Sequence, residues 1–249
     1  MTNTQTLGRV VEIVRYPIKS MAGIRAESAV LGWHGLQGDR RFAFRRLADN
    51  SGFPWLSASR LPQLLLYQPL GLHEQASEPT PTHVRTPEAI ELPLDSTELR
   101  DNVAEKLGQP LELMKLRQGV FDEATVSVIA LSTIAAIARE ADMHLDTRRF
   151  RANIVVELDS PEPFVEDTWI GHRLSFGDNE SAPIVSVTMR DERCVMINFD
   201  PDTAAADARV MKTVVRLNDN CAGVYATVLQ PGEIRVGDTL SLVTDAQAN

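Results

Sequence analysis

Val10-Val11-Glu12-Ile13-Val14-Arg15-Tyr16, running into Pro17-Ile18-Lys19-Ser20, is the stretch whose reading decides the fold. It alternates and is rich in β-branched residues, which fit a pleated, half-buried surface. Pro17 cannot donate to a ladder, so the strand ends there. Working outward, residues 26–33 read as a second strand. Gly32, Gly35 and Gly38 then punctuate a turn into a third strand over residues 40–46. Further strands are expected over residues 63–70, 83–86, 89–94 and 111–116, with a polar, proline-rich loop at 72–83. Between the last two strands, Ser96 caps a short helix whose face is Leu99, Val103 and Leu107, and Gly108 stops it. Turn signals at such short intervals favour a barrel or a sandwich.

The second part is expected to begin near Gly119. Residues 132–144 read as a helix with Ser132 or Thr133 at its N-cap. Strands follow at 150–158, 169–176 and 184–189, then a helix at 206–217. Closing strands at 224–229 and 233–242 flank Pro231-Gly232. There is no internal repeat. The expected class is α+β, predominantly β, in two parts covering residues 1–118 and 119–249.

The 249 residues are 43% hydrophobic and carry a net charge of −9, which argues against nucleic acid as a partner. The two cysteines, Cys194 and Cys221, make no disulfide framework, and a reducing, cytoplasmic setting is expected. No stretch resembles a signal peptide or spans a bilayer, so no membrane partner is expected. No CxxC, HExxH, GxSxG, P-loop or dinucleotide motif occurs, and the five histidines show no useful pairing.

Three places are chemically unusual. At Lys19-Ser20 a strand end, an ammonium, a hydroxyl and backbone amides meet, a combination suited to phosphate oxygens. Gly38-Asp39-Arg40-Arg41 feeds two guanidinium groups into a strand, where alternation sends one of them inward toward a carboxylate or an anion. The third is Cys194, in Arg190-Asp191-Glu192-Arg193-Cys194-Val195-Met196-Ile197-Asn198-Phe199-Asp200. Neighbouring arginines favour a thiolate, while Asp191 and Glu192 oppose it. A core cysteine, a nucleophile or sulfur carrier, and a soft-metal ligand all compete for this position. Cys221 is read as structural. Asp122-Glu123 is expected to be surface loop.

These places, in this order, resemble the MOSC family, named for the C-terminal domain of molybdenum-cofactor sulfurase. YPIKSMAGI (16–24) and GLQGDRRFAF (35–44) resemble its N-terminal β-barrel domain. FDEATVSVIALSTIAAIA (121–138), RRFRANIVVE (148–157), DERCVMINFDPDT (191–203) and CAGVYATVLQPGEIRVGD (221–238) resemble the MOSC domain itself. The resemblance implies a β-barrel-like N-terminal domain and a MOSC-type barrel with a few short helices. It points to the bacterial relatives of the mitochondrial amidoxime-reducing component, which reduce N-hydroxylated small molecules on a molybdopterin-type molybdenum cofactor.

By that resemblance Cys194 ligates the metal, and Lys19 and Ser20 hold the pterin phosphate with Arg40, Arg151 and Asn153. Arg193 belongs to the same cofactor-binding set. Asp200 shapes the turn behind the metal or assists proton delivery. The chain departs from the family pattern at Ile197 and Asn198, where two threonines are usual. It also departs at Ala204, where glycine is usual, and at Glu123 and Ala124. No appended iron–sulfur domain is expected, and electrons are expected from a separate ferredoxin-like protein or flavin reductase. The reading from a different class is a non-catalytic carrier of the cofactor, or of a persulfide on Cys194.

Overall fold

The strand read from residues 10–16 runs from Thr2 to Arg15 (β1) and is the hub of the computed structural model, which describes residues 2–73, 78–118 and 120–245. The first half continues with β2 (Ile24–Ala26), β3 (Ser28–Gly32), β4 (Gly35–Leu36), β5 (Phe42–Arg46), β6 (Gln68–Leu70), β7 (His83–Arg85) and β8 (Glu91–Pro93). Helix α1 (Thr97–Leu107) and β9 (Leu111–Lys115) follow. The second half holds β10 (Val126–Ala130), α2 (Leu131–Glu140), β11 (Ile154–Leu158), β12 (Arg173–Phe176) and β13 (Ile184–Glu192). It closes with α3 (Arg209–Asn218), β14 (Cys221–Gln230), β15 (Gly232–Arg235) and β16 (Thr239–Asp245).

β1 bonds to three neighbours in turn. It pairs with β16 along residues 2–9, with β11 along 8–13 and with β2 along 13–15. Strands in the order β11-β10-β14-β13-β12-β16-β1 therefore close on themselves through the β1–β11 pairing, and β2 extends the sheet from β1. Closure removes the unpaired edges that an open sheet would leave. Gly8 sits where β1 changes partner, and a Cβ there would lie 2.0 Å from the Glu157 carbonyl oxygen. Outside the barrel are the small sheets β15-β3-β4, β5-β9 and β6-β7-β8. The class is thus mostly β with three α-helices among the described residues, as expected.

Three cores result. Val10, Ile13, Val128, Trp169, Phe176 and Leu240 fill the barrel. Ile129, Ile134, Ile137, Val155, Val210 and Val214 pack α2 and α3 on its outer face. Ile18, Met21, Phe44, Tyr67, Leu99 and Val103 bind β5, β9 and α1 to the segment after β1. Val128 and Ile129 are adjacent, point to opposite faces and are both fully buried. A strand buried on both faces shows no polar alternation, and β10 was not among the strands expected. It pairs with β11 in parallel, with α2 as the crossover.

Other differences have local causes. Residues 62–66 form a 3-10 turn begun by Pro62, leaving only Gln68–Leu70 as strand. The α1 boundaries fall as expected, with Ser96 Oγ accepting from Leu99 N at 3.1 Å and Gly108 left-handed at φ 76°. Helix α2 starts at Leu131 without a side-chain cap of its own. Its Ala130 amide is instead met by Glu166, and Thr133 is buried and accepts from Phe164 N. Residues 74–77 of the proline-rich loop, and Gly119 at the expected boundary, lie outside the described residues.

Candidate functional site

The segment after β1 is pinned before it can carry chemistry. Tyr16 N donates to Asp39 Oδ1 at 2.6 Å, Arg40 N donates to Tyr16 O at 2.7 Å, and Lys19 N donates to Phe42 O at 2.8 Å. Ser20 and Arg40 both adopt positive φ, 67° and 44°, a region that costs a non-glycine residue energy and often marks functional backbone. Strand alternation therefore does not apply at Arg40, and the expectation that one of Arg40 and Arg41 faces inward is corrected: both are buried. Arg41 turns to Glu78 and the Leu116 carbonyl. The buried Tyr16 ring has two guanidinium groups within cation–π range, Arg151 at 4.2 Å and Arg40 at 5.0 Å from its centroid.

A cavity of about 620 Å³ opens over this segment, lined among others by Lys19, Ser20, Arg40, Arg151, Arg193 and Cys194. Six of the eight residues anticipated from sequence thus converge from β1, the Gly38 turn, the segment before β11 and the end of β13. Asn153 and Asp200 are not in the lining. Asn153 is 1% exposed and fully engaged: its Oδ1 accepts from Arg40 Nη1 and Ser127 N, and its Nδ2 donates to Val14 O. It holds Arg40 in place from beneath. Asp200 accepts from the amides of Asp202 and Thr203 and from Arg149 Nη2, which makes it a turn-forming residue.

The charges in the cavity do not cancel evenly. Arg40 is paired with Asp39 and, through Nε at 2.6 Å, with Asp122. Arg149 is paired with Asp200. Arg193 spends its donors on Asp191 and on the Ala222 and Phe150 carbonyls. Lys19 donates to Phe121 O and lies only within 3.8 Å of Asp122, which Arg40 already holds. Burial lowers the Lys19 ammonium, with Asp122 pulling the other way. Burial likewise lowers Arg151, which has no carboxylate partner among the described residues and donates to Met21 O. Lys19 and Arg151 are therefore the cations left over for an anion.

Cys194 follows β13 directly, is exposed and unpaired, and opens a 3-10 turn over Val195–Asn198. The core-cysteine reading does not hold; its neighbour Arg193 takes the buried position instead. Cys221, by contrast, is buried, as expected. Ile197 belongs to the α2–α3 core, and Asn198 turns its Oδ1 to the Met211 amide at the start of α3. Ala204 adopts φ 58°, a conformation that favours glycine.

Sequence reading missed two residues. Asp122 was taken as surface loop, yet it is the carboxylate joining Lys19 and Arg40. Burial raises it, and Arg40 and Lys19 outweigh that to hold it below its usual value. Asp191 was weighed only as a charge near Cys194, yet it is 1% exposed and lines the cavity. Asp122 meets Arg40 and Lys19 of the first half, and Asp191 meets Ser127, 64 positions away, besides its near neighbour Arg193; the distant partners are ones that local spacing does not encode.

Two family models match the chain: the MOSC N-terminal beta barrel domain over residues 7–141 and the MOSC domain over residues 96–241. The chain belongs to the MOSC family. Its fold is similar to that of the YuaD protein from Bacillus subtilis, with a TM-score of 0.53, 13% identity, and 99% of this chain and 100% of that one covered. YiiM from Escherichia coli is also similar, at a TM-score of 0.44 and 12% identity, covering 96% of this chain and 71% of that one. No curated protein matches the sequence. For a MOSC protein the lining fits the cofactor that the family is associated with. Lys19, Ser20 and Arg151 suit an anionic phosphate, and an exposed thiol suits a soft metal. Among the described residues no cluster of three His, Cys, Asp or Glu side chains could hold a metal unaided.

Proposed function

We propose that this MOSC protein binds a molybdenum cofactor and reduces N-hydroxylated small molecules, using electrons from a separate ferredoxin-like or flavin-dependent donor protein. The observation that carries the reading is the convergence of an exposed Cys194 with two under-compensated cations, Lys19 and Arg151, in one cavity. When bound, the cofactor would supply the two-electron, oxygen-atom chemistry. Two electrons and two protons convert an N–OH group to N–H, and the oxygen leaves as water.

The chain's own residues would bind and orient. Cys194 would ligate the metal, Lys19, Ser20 and Arg151 would hold the phosphate, and Arg40 would stiffen that wall through Asp39, Asp122 and Asn153. The test is turnover of an N-hydroxylated aromatic amidine by cofactor-loaded protein with a chemical reductant, comparing wild type with Cys194→Ser. Turnover by wild type alone is expected; equal rates would contradict it.

The exposure of Cys194 also favours a second reading, a carrier that holds the cofactor or a persulfide sulfur on this thiol. Transfer of sulfur to Cys194 by a cysteine desulfurase, in protein that retains no molybdenum, would support that reading. Stoichiometric molybdenum with turnover would exclude it.

A further inference from the structure

Phe53 lines the cavity with a ring that is 54% exposed, yet the backbone that carries it is pinned. Arg46, itself buried, donates from Nη2 to Phe53 O at 2.8 Å and pairs with Asp49 through Nη1. The Arg46 amide donates to Pro54 O at 2.9 Å, and Leu56 N donates to Phe44 O at 2.7 Å. The segment 49–56 is therefore bonded along β5, and the Phe53 ring is presented from a fixed position. Lys19 Nζ stands over that ring, 5.6 Å from its centroid.

Trp55, two residues on, lines the same cavity and is partly buried. Its ring meets Phe121 edge to face, with centroids 4.6 Å apart. Phe121 is buried and held on both sides: its amide donates to Arg40 O at 2.8 Å, and its carbonyl accepts from Lys19 Nζ at 2.7 Å. One lysine thus joins these rings to the cationic end of the cavity. A lone exposed phenylalanine needs no explanation. Three rings on pinned backbone along one cavity of about 620 Å³ make a wall. Aromatic rings pair with other planar rings in offset or edge-to-face geometry, which a puckered ring cannot match.

The cavity then divides by chemistry. Lys19 and Arg151 suit an anion and Cys194 suits a soft metal, and neither serves the apolar part of a substrate. Resting on the reading of this cavity as a site of N–O reduction, we propose that Phe53 and Trp55 form an aryl subsite. It selects substrates that carry a planar ring next to the N–OH group. The ring packs on the wall supplied by the first half of the chain, leaving the N–OH group for the part of the cavity that Cys194 lines.

The probes are benzamidoxime and cyclohexanecarboxamidoxime, which share the N–OH head group and differ in a flat against a puckered ring. Each is titrated by NMR into the purified protein. Wild type should bind the flat probe about fivefold more tightly. Phe53→Leu keeps apolar bulk and loses the flat ring, so the preference should fall to about twofold or less. Trp55→Leu should lower it in the same way, and Phe53→Tyr should keep it. The bond from Arg46 reaches the Phe53 main chain, so the Phe53 substitutions leave that anchor intact. Equal binding of the two probes by wild type, no binding of either, an undiminished preference in Phe53→Leu, or its loss in Phe53→Tyr overturns the proposal.

The second arm measures turnover of the same two compounds by cofactor-loaded protein with a chemical reductant. The preference should appear in KM, with Phe53→Leu raising KM for benzamidoxime more than for the cyclohexyl compound. A change confined to kcat overturns the proposal. Wild type that turns over neither compound contradicts the reduction reading, and the binding preference still decides whether Phe53 and Trp55 form an aryl subsite.

Discussion

Arg40 Nε lies 2.6 Å from Asp122 Oδ2, tying the turn after Gly38 to the segment that leads into β10. The same guanidinium neutralises Asp39, which is fully buried and holds the Tyr16 amide. Arg40 is thus first a structural cation, and the anion-facing role falls to its neighbours.

Removing it should therefore unfold more than the site. Arg40→Met leaves Asp39 as an uncompensated buried charge and should cost about 3–5 kcal/mol. Urea denaturation checks this; a loss below about 1 kcal/mol would show that Asp39 finds another partner.

Lys19→Met should behave in the opposite way. It deletes an ammonium that burial already disfavours, so stability should change by less than about 1 kcal/mol. Pterin retained through purification should nevertheless fall severalfold, because a charge-assisted phosphate contact is lost. Full retention with unchanged stability would place the phosphate elsewhere.

Much of this was legible in the sequence, and the exceptions share causes. β1 and α1 follow from alternation and capping, and the resemblance to the family singled out Lys19, Ser20, Arg40, Arg151 and Cys194, which line one cavity. β10 escaped because Val126–Ala130 is buried on both faces and runs into α2 with no turn residue between them. Residues 2–7 escaped because their polar sequence gives no apolar pattern, while the β16 ladder sets their conformation. Asp122 and Asp191 were passed over because a carboxylate in a charged run looks solvated until its partners, Arg40 and Arg193, are seen to be buried.

The change of partner along β1 depends on Gly8. A methyl group there meets the Glu157 carbonyl oxygen, so Gly8→Ala must push β1 off β11. A loss of about 2–4 kcal/mol is expected in thermal or urea denaturation. A neutral effect would mean that the barrel seam is looser than the β1–β11 register implies.

Glu166 gives the fold a pH signature. It is fully buried, and burial raises its carboxyl despite hydrogen bonds from Thr133 and the Ala130 amide. The folded state then binds this proton more tightly than the unfolded chain does. Its contribution is present below the ordinary glutamate value and is lost as pH rises through the raised one. Glu166→Gln should remove that part of the decline in urea midpoint on going from acidic to neutral pH. An identical pH profile in the variant would show that Glu166 titrates normally.

The central claim, that Cys194 is a metal ligand in a cofactor cavity, is met most directly by molybdenum per chain, measured by elemental mass spectrometry. Wild type and Cys194→Ser would be purified side by side from a cofactor-producing host. The account predicts near-stoichiometric molybdenum in wild type and its loss in the serine variant, which keeps the shape but is a poor soft-metal ligand. Equal molybdenum in the two proteins, or none in wild type while another host molybdoprotein loads normally, would contradict it.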